Sequence, residues 1–198
     1  KFSLMSVAWN SEQSFPTGTL SLSGGSIQHG PSKLHAEDIS GNFQLSSDGL
    51  VFDPMVARIA GNTVMGSARY QLAEKTLNFS IAGNLGTVEE LEFLKSGRGL
   101  NLYGPLALDA LTGTIAPGHH TYDATVDLTR TGIEWEWWFK KAPGIGARLE
   151  KLHFDLKPGK SATLTMLAAL DTIEIDTKAS LTHRGGKWTL DDLKATSP

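Results

Sequence analysis

Alternation of apolar and polar residues constrains this chain most, because a period of two places successive side chains on opposite faces of an extended strand. Across residues 121–129, Tyr122, Ala124, Val126 and Leu128 fall on one side, and Thr121, Asp123, Thr125, Asp127 and Thr129 on the other. Across residues 172–181, Ile173, Ile175, Ala179 and Leu181 oppose Thr172, Glu174, Asp176, Lys178 and Ser180. Three further windows repeat the pattern, with Leu77, Phe79 and Ile81, then Leu152, Phe154 and Leu156, then Leu164 and Met166 on the apolar side. Each such strand offers a few apolar side chains worth about 1.5 to 3 kcal/mol apiece when fully desolvated. A facing layer or a ligand has to cover them.

Turn signals separate these windows at short intervals: Ser47-Asp48-Gly49, Gly61-Asn62, Ala73-Glu74-Lys75, Pro117-Gly118, Lys157-Pro158-Gly159-Lys160 and Arg184-Gly185-Gly186. Links this short suit antiparallel neighbours, since a parallel crossover needs about a dozen residues or more. The expected fold is all-β, mainly an antiparallel meander in a twisted and curved sheet, trough-like or sandwich-like. One short helix is expected over residues 87–95, where Val88, Leu91 and Leu94 keep helical spacing and Glu89 and Glu90 suit a helix start. Pro143, Gly144 and Gly146 make residues 142–149 a loop before a helical turn. The 198 residues form a single β-rich segment, or two consecutive β units of about 1–100 and 101–198. An opening at Lys1, with neither Met nor a signal sequence, reads as a segment of a longer protein.

A formal net charge of −3 gives no reason to expect nucleic acid, which demands clustered Lys and Arg. With no cysteine, a disulfide framework, a thiolate metal site and a cysteine nucleophile are all excluded. His119-His120 is the one histidine cluster, and adjacent residues of a strand point to opposite faces, so these read as exposed turn histidines and not as a metal pair. The acidic pairs Glu89-Glu90 and Asp191-Asp192 read as solvated carboxylates. No G-x-S-x-G, Walker loop or H-E-x-x-H occurs, so neither an enzyme nor a cofactor is expected.

The sharpest local feature is the aromatic run from Ile133 to Phe139. As a strand it would line one face with Ile133, Trp135, Trp137 and Phe139 and the other with Glu134, Glu136, Trp138 and Lys140. Such tryptophans could stack on sugar rings, wall an acyl-chain groove or fill a core.

Residues 38–72 resemble the C-terminal region of AsmA-like proteins of Gram-negative envelopes, at Gly49, Leu50, Pro54, Gly61, Val64 and Gly66. Leu102, Gly104, Leu106 and Leu108 continue that resemblance, as does the run through Trp138, Lys141, Pro143, Gly144, Ala147, Leu149 and Leu152. The resemblance implies a slice of a long sheet folded into a trough whose apolar inside carries phospholipid acyl chains between membranes. The implied location is a periplasmic segment of an inner-membrane-anchored protein. The implied partners are the rest of the parent protein through the sheet edges, and other envelope proteins. The expected lipid-contacting residues are Leu77, Phe79, Ile81, Val126, Leu128, Trp135, Trp137, Phe139, Leu164, Met166, Ile173 and Ile175. Two other readings stand beside this one: a carbohydrate-binding β-sandwich using Trp135, Trp137 and Trp138, and an architectural or protein-docking spacer.

Overall fold

Short turns between alternating segments generate a meander. The computed structural model describes residues 2–8, 17–29, 34–87, 100–137, 139–184 and 187–197. Its strands are β1 (Phe2–Ala8), β2 (Thr17–His29), β3 (Leu34–Ser46), β4 (Gly49–Ile59), β5 (Asn62–Gln71), β6 (Thr76–Thr87), β7 (Leu100–Tyr103) and β8 (Pro105–Ala116). They continue as β9 (His119–Asp127), β10 (Gly132–Trp135), β11 (Phe139–Lys141), β12 (Ala147–Lys157), β13 (Ser161–Leu170), β14 (Ile173–Arg184) and β15 (Lys187–Thr196). Twelve pair antiparallel in the order β1-β2-β3-β4-β5-β6-β8-β9-β12-β13-β14-β15, and three form a small sheet in the order β11-β10-β7. Hydrogen bonding passes directly from β6 to β8, with Leu77 opposite Ile115 and Phe79 opposite Gly113.

Reversals fall at residues 47–48, 60–61, 72–75, 117–118 and 158–160, as the turn residues require. Gly185 and Gly186 lie outside the described residues, between β14 and β15. A further reversal at Asp171-Thr172 carries no glycine or proline; Asp171 takes φ 53°, a left-handed conformation its short polar side chain tolerates. The strand read from Thr172 therefore begins at Ile173, and the one read through Thr129 ends at Asp127. Of the helical window, Thr87 closes β6, and residues 88–95 lie outside the described residues. Residues 142–146 are a loop.

The aromatic run is not one strand. Ile133 and Trp135 belong to β10, Glu136 and Trp137 make a turn, and Phe139 opens β11, so the run folds back on itself with Trp135 opposite Phe139. Glu136 adopts φ 50° in that turn. Trp137 therefore does not share a strand face with Ile133 and Trp135.

Register makes the large sheet two-faced. Leu20, Phe43, Phe52, Ala68, Phe79, Gly113, Tyr122, Phe154, Leu164, Ala179 and Leu193 are successive cross-strand partners from β2 to β15. One residue along, on the opposite face, the row reads Val51, Arg69, Asn78, Thr114, Thr121, Asp155, Thr163, Ser180 and Asp192. Antiparallel sheets commonly keep one face wet in this way.

The sheet is also creased. Register shifts occur between Leu22 and Gly25, Glu37 and Ser40, Phe52 and Met55, Ile81 and Gly83, Leu108 and Ala110, and Leu149 and Leu152. A β-bulge bends its strand, and these bulges line up at similar heights on neighbouring strands, so together they fold the sheet along a line crossing the strands. Ile39, Phe52, Ala57 and Val64, taken from both sides of this line, form one buried cluster, with Met55, Ile81 and Leu85 packed against it. Ile59 of β4 likewise meets Leu106 of β8, two intervening strands away in the sheet. Both contacts place the apolar face on the inside of the fold.

Candidate functional site

The apolar inside is graded from closed to open. Near β3 to β5 the side chains cover one another, and Ile39, Phe52, Ala57 and Val64 are buried. Among the described residues of the last four strands of the large sheet, only small ones reach that state, Ala147, Ala162 and Ala179. Leu152, Phe154, Leu164, Met166 and Leu170 are half-buried, and Ile173, Ile175, Leu190 and Leu193 are 51%, 36%, 53% and 59% exposed. No second sheet of this chain covers that end among the described residues. Contiguous exposed apolar surface on a folded protein commonly marks an interaction site.

An aromatic ladder lies along the inside. Phe79, Tyr122 and Phe154 sit on β6, β9 and β12, with ring centroids 6.2 Å apart for Phe79 and Tyr122 and 6.3 Å for Tyr122 and Phe154. Gly113 of the intervening β8 makes room: a Cβ there would meet the Phe79 ring and lie 3.2 Å from Tyr122 Cδ1. The same period of two that marks Phe79 marks Tyr122 and Phe154 as members of this face.

Of the twelve residues expected to line the site, Leu77, Phe79, Ile81, Val126, Leu164, Met166, Ile173 and Ile175 share the inside of the large sheet through their register partners. Leu128 lies just past β9 and packs against Leu106. Trp135 and Phe139 are register partners in the small sheet, and Trp137 stands on its turn, 91% exposed. A stacking platform built from one tryptophan-bearing strand is therefore not the arrangement at residues 133–139. Trp138 lies outside the described residues.

The small sheet is fastened by a residue whose charge hides it in a sequence pattern. Lys141 is only 1% exposed, and its Nζ lies 2.9, 3.3, 2.7 and 3.3 Å from the main-chain oxygens of Leu128, Thr129, Thr131 and Ala142. Burial lowers the pKa of the ammonium, and the nearby Asp127 charge opposes that shift. Thr131, fully buried, donates its hydroxyl to the Pro105 carbonyl at 2.7 Å. Gly132 lies under the Tyr103 ring, which would clash with any Cβ there.

The outer face is a lattice of polar pairs. His153 Nδ1 lies 2.7 Å from Asp123, His119 Nε2 lies 3.0 Å from Asp155, and Arg148 pairs with Asp109 at 2.5 Å. The His119 contact holds the Asp155 carboxyl below its ordinary pKa. His120 points to the other face, edge-on to Tyr122. Among the described residues no group of three or more His, Asp or Glu could hold a metal ion. No helix there is long and apolar enough to cross a membrane. In comparisons with protein-family models, curated proteins and solved structures, nothing matches this chain.

Proposed function

We propose that this chain is a non-catalytic lipid-carrying module, which holds phospholipid acyl chains along the inside of its creased sheet. The observation that carries the reading is the gradient of cover on one continuous apolar face, from Val64 at 2% to Leu193 at 59% exposure. Hydrocarbon lying along Met166, Ile173 and Ile175 would supply the desolvation that no other part of the described chain provides there. The resemblance to AsmA-like proteins of bacterial envelopes points the same way. Of its motif positions, Gly61 lies in a turn, Pro54 sits at a bulge and Val64 is in the closed end of the trough. On this reading the module works in the periplasm, in phospholipid transport or outer-membrane homeostasis. It continues into its parent protein through the edges at β1 and β15, which lie at the two ends of the strand order.

The test is photo-crosslinking in cells, with the reactive residue placed at Leu164, Met166 or Ile175 inside and at Thr163, Thr165 or Glu174 outside. The inside positions should capture phospholipid and the outside ones should not. Equal capture on both faces would refute the groove.

A further inference from the structure

The small sheet is built as a projection. Its strand β7 leads directly into β8, so Tyr103 lies next to the large sheet and Leu100 away from it. On β10, Gly132 pairs with Tyr103 and Trp135 with Leu100, so β10 runs outward, and β11 returns to the buried Lys141 at the root. At about 3.3 Å per residue, the turn at Glu136-Trp137 stands roughly 10 Å beyond that root.

Three features converge on what this tongue meets. Trp137 at its tip is 91% exposed, although tryptophan is among the costliest side chains to leave in water. The apolar side of the tongue joins the trough: Leu102 packs against Leu106, and register puts Ile133 and Phe139 on the same side as Leu102. Among the described residues Glu134 and Lys140 pair at 2.6 Å across the hairpin, and Glu136 stands beside the tryptophan. A tryptophan-tipped projection suits the headgroup layer of a bilayer, where an amphipathic indole keeps its ring apolar and its N–H wet.

We infer that the β7-β10-β11 sheet is a membrane-docking tongue, which seats Trp137 in the interface of a phospholipid bilayer and brings the apolar trough to the lipid source. The inference rests on the lipid-carrying reading for its purpose, while the docking itself is measured separately. Lys141, bonded to carbonyls on both sides of the root, positions the tongue and does not touch lipid.

The experiment is flotation of the whole chain with phosphatidylcholine vesicles, with phospholipid content measured in parallel by native mass spectrometry. Wild type should float, and Trp137→Ala should reduce vesicle partitioning by about tenfold or more, as expected when one large apolar side chain no longer transfers. Trp137→Phe should retain part of the binding. Bound lipid and the thermal midpoint should stay at wild-type values in both variants, since this side chain has almost no contact to lose. Doxyl-labelled phosphatidylcholine should quench wild-type tryptophan emission more than that of Trp137→Ala. Flotation unchanged in Trp137→Ala, or a wild type that does not float, overturns the tongue; a tip that docks on protein or sugar gives one of those results. A wild type that floats through Trp137 yet carries no lipid leaves the tongue standing and removes the lipid-carrying reading. Lipid carried without flotation does the reverse.

Discussion

The Lys141 ammonium donates to the Thr131 carbonyl at 2.7 Å, in a site where lysine is 1% and threonine 0% exposed. An unpaired ammonium could not remain charged there, and the surrounding carbonyls compensate for the water it has lost. Lys141→Met keeps much of the stem volume and removes the donor. The expected cost is roughly 2 to 4 kcal/mol, the penalty for orphaned buried acceptors set against relief of a desolvated charge. Some carbonyls keep a second donor, since Thr131 N–H also reaches Leu128 O and Gly144 N–H reaches Thr129 O, which holds the loss below the top of that range. A urea midpoint lowered with unchanged slope, together with faster amide exchange over residues 132–141, is the expected result.

Asp127 sets an acid limit on the same corner. The Thr129 hydroxyl, then the Thr129 N–H at 2.8 Å, and the charges of Arg148 and Arg130 hold its carboxyl below the ordinary 3.8. A carboxyl depressed in the folded state binds fewer protons there than in the unfolded chain, so stability rises with pH between the two values. Its contribution is complete above the unfolded value and is lost as pH falls through the folded one. Asp127→Asn should therefore lower stability at neutral pH and flatten the loss as pH falls below the ordinary carboxylate value, read as thermal midpoint against pH. An acid limb as steep as wild type would show that other carboxylates govern it.

How much of this was legible in the sequence depends on what each residue had to reveal. Phe79, Val126, Leu164 and Ile175 were readable because a strand alternates strictly and antiparallel pairing carries that phase to the next strand. The crease was not readable, because a bulge at Phe52 or Leu108 leaves only a one-residue slip in alternation, and the alignment of bulges is a property of pairing. The turn at Glu136-Trp137 was missed because neither residue signals a reversal, and Glu136 has a side chain seldom found at positive φ. Lys141 was missed in its role because lysine reads as solvated, yet its phase with Phe139 and Ile133 already put it on the apolar side of the hairpin.

Gly113 tests the aromatic ladder. Valine favours strands over glycine by up to about 1 kcal/mol, whereas forcing a branched side chain into packed rings costs about 1 to 3 kcal/mol. Sterics should win, because Phe79 and Tyr122 close over Gly113 from opposite sides. Gly113→Val should destabilise the chain, and Phe79→Ala in the same molecule should recover most of the loss. A double-mutant cycle on urea midpoints measures the coupling. Additive effects would mean that the rings do not depend on that gap.

Ile175 separates folding from lipid capture. It is 36% exposed without lipid, on the inside opposite Ala168, so an aspartate placed there remains hydrated in the empty protein. Ile175→Asp should therefore leave the circular dichroism native and change stability by about 1 kcal/mol or less, as for surface substitutions. Under a bound acyl chain the same carboxylate loses its water, which costs several kcal/mol or forces it to take up a proton. Lipid capture at neutral pH should fall at least about tenfold, a factor equivalent to about 1.4 kcal/mol. Because burial raises the carboxyl pKa, protonation at lower pH removes the penalty, so capture by Ile175→Asp should recover as pH drops from 7 towards 5 while wild type changes little. Glu174→Gln, on the outer face opposite Ala169, should bind as wild type throughout. A variant with native structure and undiminished, pH-independent capture would place the lipid elsewhere than on this face.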